Sequence, residues 1–170
     1  MESAAKQSPT IYMVHNRIVH SRVGVMPGPR LDEQLCFALY SASRAVTAAY
    51  RPLLDELDLT YPQYLVLLVL WEEEPCTVGY LGERLHLDSG TLSPLLKRLE
   101  SAGLVRRRRS ETDERRVDIT LTVRGRALEE RAACIPDRLL GAEDSAAAAL
   151  AALRDALHLI TAELHARSTT

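Results

Sequence analysis

A disulfide scaffold is missing from this chain. Its 170 residues hold three cysteines, Cys36, Cys76 and Cys134, an odd and widely spaced set. Small secreted domains stapled by bridges do not look like this. No Cys-x-x-Cys and no His-x-x-x-His occurs, and His15, His20, His86, His158 and His165 are scattered. A structural zinc site is therefore not expected, and no residue is assigned to a metal or any other cofactor. Eight glycines and eight prolines are too few for a collagen-like or linker-like chain. No apolar run approaches the roughly 18 residues that a membrane-spanning helix needs. Residues 1–30 also lack the apolar stretch, about 7–15 residues long, of a secretory signal. These absences predict a cytoplasmic protein with no membrane partner. No paired acid and base, Ser/His/Asp set or phosphate-cradling loop is visible. No catalytic residue is assigned, and the chain does not read as an enzyme.

What remains is ordinary globular material, 46% apolar and 26% charged. The length suits about one domain with a real core. A formal net charge of −2, taken as a whole, argues against a nucleic-acid partner. Divided by region, the charge says otherwise. Residues 31–83 carry nine acidic residues against Arg44 and Arg51. Residues 84–126 carry eleven basic residues, including the run Arg106–Arg109, against six acids. A compact basic block is the footprint that phosphate contacts leave. Taken alone, it is equally a solvated basic face.

Periodicity predicts a mainly helical chain with a small β-hairpin. A helix is expected from Leu31 to about Leu57, with Pro52 kinking or dividing it. Thr60 and Gln63 fit a capping box opening a second helix. Its run Tyr64–Trp71 is apolar on nearly all faces and so belongs in the core. A short helix over Val78–Leu85, a turn at Leu87–Thr91 and a further helix to about Ala102, closed by Gly103, come next. Val117, Ile119 and Leu121 alternate with polar residues after Arg106–Arg109, which reads as a hairpin. Helices resume near Thr122. In the last of them Leu150, Leu153, Leu157, Ile160 and Leu164 recur at spacings of 3 and 4, a heptad-like seam for a partner helix. A second copy of the chain is the simplest partner, and an intramolecular helix is the alternative.

Short helix, turn, second helix and arginine-rich hairpin follow the order of a winged helix-turn-helix. The second helix would enter the major groove of double-stranded operator DNA by its N-terminal half. Ser89 and Thr91 are short donors there, and the helix N-terminus itself attracts phosphate. Lys97 and Arg98, two turns on, suit the backbone. Arg115 and Arg116 at the hairpin loop suit a minor groove, with Asp113 near enough to brace one of them.

The block Leu87–Gly103, followed by Arg109-Ser110-Glu111-Thr112-Asp113-Glu114-Arg115-Arg116, resembles the MarR family of dimeric winged-helix repressors. The likeness runs over about residues 31–165. It implies a helical dimerisation region at 31–60 and 122–170 and a DNA-binding region at 61–121, while residues 1–30 read by themselves as a flexible arm ending in Pro27-Gly28-Pro29. Leu35–Tyr40, Tyr50–Leu54, Thr60–Tyr64 and Leu87–Leu92 are similar to the organic-hydroperoxide-sensing branch of that family. The branch implies that Cys36 is oxidised by organic hydroperoxides and that the repressor then leaves its operator. It also implies thiolate hydrogen bonds from the partner subunit's tyrosines at positions 50 and 61, with Tyr40 in the same pocket. Tyr40 lies four residues after Cys36, hence on the same helix face. Phenolic donors stabilise a thiolate, and Leu35 and Phe37 favour a lipophilic peroxide.

Cys76, after Pro75, reads as a bystander. Within the branch, oxidation ends either on a small thiol or in an intersubunit disulfide, so Cys134 is either a resolving cysteine or uninvolved. A second reading keeps the MarR-type repressor but releases it with a small phenolic or aromatic ligand, leaving Cys36 incidental. A third, thiol peroxidase turnover, has no support beyond the thiol itself.

Overall fold

The computed structural model describes residues 11–14, 17–20, 30–109, 116–140 and 144–168. The chain forms two compact units, Met1–Ala42 and Ser43–Thr170.

In the first unit, β1 (Ile11–Val14) pairs antiparallel with β2 (Arg17–His20), Ile11 opposite His20. Thus the segment expected as an arm carries a short hairpin. Leu31–Glu33 makes one 3-10 turn, and Gln34 is extended. Helix α1 therefore begins at Leu35 rather than Leu31, and runs to Asp55 in the second unit. Pro52 does not divide it. The proline lacks only the one N–H that would have reached back to Ala48, so the last turn survives its loss.

The second unit is built around α2 (Tyr61–Glu72). Gln63 Oε1 accepts the Thr60 N–H at 2.8 Å and the Thr60 hydroxyl at 2.9 Å, which fixes the helix start. Tyr64, Val66, Leu67, Val69 and Leu70 are all buried, so α2 is wrapped on nearly every face as its apolar run predicts. Helices α3 (Val78–Leu85) and α4 (Ser89–Ser101) pack against it through Leu81, Leu92, Leu95, Leu96 and Leu99. Each fully buried leucine contributes on the order of 1.5–3 kcal/mol.

Both ends of α4 are sharply defined. Asp88 is the N-cap, its carboxylate accepting the Thr91 N–H at 2.9 Å. At the far end Gly103 adopts φ +69°. The Leu104 N–H then reaches the Leu99 carbonyl and the Gly103 N–H the Glu100 carbonyl. This is the Schellman arrangement that left-handed glycine permits. Pro94 lies inside α4 without ending it.

The hairpin is β4 (Val105–Arg109) and β5 (Val117–Leu121), with Arg107 opposite Ile119. A third strand, β3 (Cys76–Thr77), pairs with the other edge of β5, giving the order β3-β5-β4. Helices α5 (Val123–Ala132), α6 (Ile135–Leu140) and α7 (Asp144–Ser168) complete the chain. The protein is thus mainly α with a small antiparallel wing. No described helix is long and apolar enough to cross a membrane.

Candidate functional site

Two groups of residues carry the chemistry. The first is the helix-turn-helix and its wing. The turn between α3 and α4 is tight. His86 sits in the left-handed region, and the Leu87 N–H reaches the Gly82 carbonyl at 2.9 Å. A Cβ on Gly82 would stand 2.9 Å from the Leu87 carbonyl oxygen, so the turn needs glycine there. Ser89 and Thr91 are exposed on the first turn of α4, and Lys97 and Arg98 are exposed further along it. The Thr91 hydroxyl donates to Asp88 Oδ2 at 2.9 Å, so part of its capacity is already spent. The same carboxylate accepts one of the N-terminal amides of α4, that of Thr91, at the helix end expected to attract phosphate. Those hydrogen bonds, from the Thr91 backbone first and its hydroxyl second, hold the Asp88 pKa below the usual carboxylate value.

The wing is where positive charge gathers. Strand β4 is an edge strand, and Arg106, Arg107, Arg108 and Arg109 are all exposed while Val105 is buried. Val105 anchors the strand, and the four guanidiniums after it project from both faces of the ribbon. Arg116 is exposed just before β5. Asp113 and Arg115 lie outside the described residues. The rest of the basic block does structural work. Arg84 pairs with Glu72 at 2.5 Å, Arg124 donates to the Ala102 carbonyl at 3.0 Å, and Arg126 pairs with Glu74.

The second group is the cysteines and tyrosines. Cys36 is exposed near the start of α1, and Tyr40, one turn on, is 57% exposed. The two share a helix face. Tyr50, near the end of α1, packs on Tyr61 at the start of α2 with ring centroids 4.9 Å apart. Tyr64 and Trp71 extend this into an aromatic row, with steps of 5.9 and 6.2 Å. Burial, then the nearby Tyr61, pushes the Tyr50 pKa up, so its phenol keeps its proton and remains a donor. Tyr64 was expected only as core. Only folding brings it against Tyr50.

The other thiols differ in kind. Cys76 is buried in β3 and donates to the Glu73 carbonyl at 2.8 Å. Burial, then the charge of Glu73, raises its pKa, which makes it a poor nucleophile. Cys134 is exposed between α5 and α6, with Sγ 3.6 Å from the Arg131 carbonyl. Among the described residues no group of three or more His, Cys, Asp or Glu is placed to hold a metal ion.

Residues 48–131 match the family described as transcriptional regulator SarA/Rot. The organic hydroperoxide resistance transcriptional regulator of Bacillus subtilis (strain 168) is 51% identical over 139 residues, covering 82% of this chain and 95% of the relative. The chain belongs to the MarR-type family of winged-helix transcriptional regulators. Solved structures of other MarR-type regulators agree. Reduced AbfR bound to DNA, from a protein of Staphylococcus epidermidis, is 42% identical with a TM-score of 0.64, covering 76% of this chain and 94% of that one. Wild-type MarR from E. coli in its apo form is 25% identical with a TM-score of 0.60, covering 73% and 96%. This MarR-type chain is accordingly a transcriptional regulator and not an enzyme.

Proposed function

We propose that this regulator is a homodimeric repressor that binds operator DNA and releases it when an organic hydroperoxide oxidises Cys36. The observation that carries the sensing half is an exposed thiol one helical turn from Tyr40 on α1. The B. subtilis relative is named for organic hydroperoxide resistance. The DNA-binding half rests on α4 and the arginine edge of β4, and on AbfR having been seen on DNA in its reduced form.

In the sensing step the Cys36 thiolate attacks the terminal peroxide oxygen. An S–O bond forms, the O–O bond breaks, and the departing alkoxide takes a proton to become an alcohol. Sulfur is oxidised to a sulfenic acid and the peroxide is reduced. Tyr40, with Tyr50 and Tyr61 of the partner subunit, is the proposed donor set for the thiolate. A second thiol then condenses with the sulfenic acid, releasing water. A small cellular thiol would leave a mixed disulfide, and Cys134 of the partner subunit would leave an intersubunit bridge. The exposure of Cys134 suits the latter role.

A gel shift with and without organic hydroperoxide tests this reading. Wild-type protein should lose its DNA on oxidation, and Cys36→Ser should bind and stay bound. Unchanged wild-type binding, or full release of Cys36→Ser, would sink it. Intact mass and a non-reducing gel then separate a mixed disulfide from a Cys36–Cys134 bridge.

One observation favours the second reading. A cavity of about 390 Å³ lies between α2 and the α5–α6 segment, walled by Tyr64, Leu68, Trp71 and Pro136, with Glu72 and Glu129 at its lining. Its aromatic walls suit a small phenolic or aromatic ligand. A saturable ligand that frees DNA from Cys36→Ser would establish that route.

A further inference from the structure

The root of the wing is held by one ion pair that closes on backbone from both sides. Glu74 lies between α2 and β3, and Arg126 lies in the first turn of α5. The two side chains meet in a two-pronged pair, Arg126 Nη2 reaching Glu74 Oε1 at 2.9 Å and Nη1 reaching Oε2. The same Glu74 Oε1 accepts the N–H of Leu121, the last residue of β5, at 3.0 Å. The same Arg126 Nη2 donates to the Leu121 carbonyl at 3.3 Å. Both polar groups of one strand-terminal residue are thereby taken by a single ion pair. Glu74 is largely shielded, with its side chain 16% exposed, while Arg126 is 56% exposed.

We propose that Glu74 and Arg126 are positioning residues for the wing. They fix the end of β5, and β4 follows because Val105 pairs with Leu121. The pair thus sets the angle at which Arg106–Arg109 meet DNA. This inference rests on the DNA-binding reading above. Arg126 belongs by sequence to the basic block, yet its charge is matched, and its contribution to binding is orientation rather than attraction.

The sign of one substitution separates the two ideas. Glu74→Ala removes a negative charge beside a cation. If electrostatics alone mattered, it would tighten DNA binding and steepen its salt dependence. Positioning demands the opposite. The measurement is fluorescence anisotropy on a duplex selected by the wild-type protein from a random-sequence pool, repeated across a salt series. Glu74→Ala, Arg126→Ala and the double variant are compared at equal folded fraction, checked by thermal unfolding. The expected result is that each single variant loses roughly tenfold in affinity and flattens the salt slope by about one or more. The double variant should be no worse than the weaker single, because one joint is lost only once. The charge-swapped pair Glu74→Arg with Arg126→Glu should not recover the loss, because arginine cannot accept the Leu121 N–H and glutamate cannot donate to the Leu121 carbonyl.

Tighter binding by Glu74→Ala, or an unchanged slope in both single variants, would overturn the inference and leave the DNA-binding reading intact. Additive losses in the double variant would overturn it too. Absence of salt-dependent binding by the wild-type protein would instead remove the DNA-binding reading, and this inference with it.

Discussion

Three thiols in one chain meet three environments, and environment decides what each can do. Cys36 is open to solvent, Cys76 is shut beneath the wing against the Glu73 carbonyl, and Cys134 is exposed beside the Arg131 carbonyl. Asp88 makes the same point for a carboxylate. At the start of a recognition helix an acid looks misplaced, since it repels phosphate. Its carboxylate instead satisfies the Thr91 amide and orients the Thr91 hydroxyl. Asp88→Ala should therefore lower the thermal unfolding midpoint at neutral pH. The hydrogen bonds depress the folded-state pKa of Asp88, so its stabilisation is present above the unfolded carboxylate pKa. It is lost as pH falls through the lower folded value. The gap between wild type and Asp88→Ala should hold from about pH 7 to pH 5 and close below about pH 4. A gap that persists unchanged into acid would show that the carboxylate is not the cap. Asp88→Asn, which can still accept the Thr91 amide, should keep most of the neutral-pH midpoint.

Among the elements, the joint between wing and α5 is closely packed. The Thr122 hydroxyl accepts the Gly125 N–H at 3.0 Å, and the Trp71 indole donates to the Gly125 carbonyl at the same distance. A Cβ on Gly125 would fall 2.1 Å from the Leu104 carbonyl oxygen, which is backbone and cannot swing aside. Gly125→Ala should cost at least about 1–3 kcal/mol, the range for overpacking a core, read as a lower denaturant midpoint. A variant as stable as wild type would mean that α5 docks more loosely than the contact implies. This joint also marks how far the sequence could be read. The Thr60–Gln63 box, the Val78–Leu85 helix and the alternation of β5 are local patterns, and each element formed where its pattern lay. Pro52 does not divide α1 because a proline near a helix end removes only one bond. Strand β3 was invisible because two residues carry no period, and its existence depends on β5 some forty positions away. Glu74, Gly125 and Arg126 were unreadable as a unit for the same reason, being brought together only by folding. The candidate thiol and tyrosines came from the resemblance to the hydroperoxide-sensing branch, whereas the contacts of Tyr50 with Tyr61 and Tyr64 needed the packing of α1 on α2.

For the whole molecule, the near-zero net charge conceals a division of labour. The wing concentrates cations while matched pairs such as Glu72–Arg84, Glu74–Arg126 and Glu56–Arg138 neutralise others in the scaffold. One wing is a modest electrostatic handle, and two held at a fixed spacing are a far better one. Helix α7 is the proposed means. Leu150 and Leu153 lie 37% and 55% exposed on a stripe that continues through Leu157 and Ile160. Leucine at such exposure along one helix face is what a second copy would cover. Leu153→Glu should therefore shift sedimentation velocity from dimer toward monomer, because an unpaired carboxylate would have to enter the apolar seam. DNA affinity should fall with it, by about 100-fold or more, because a monomer gives up the second half-site and the effective concentration that tethering provides. The two readouts must move together. A variant that stays dimeric would place the interface elsewhere. A monomer that bound DNA as tightly as wild type would mean that one wing and one α4 suffice, and the paired-site account of binding would fail.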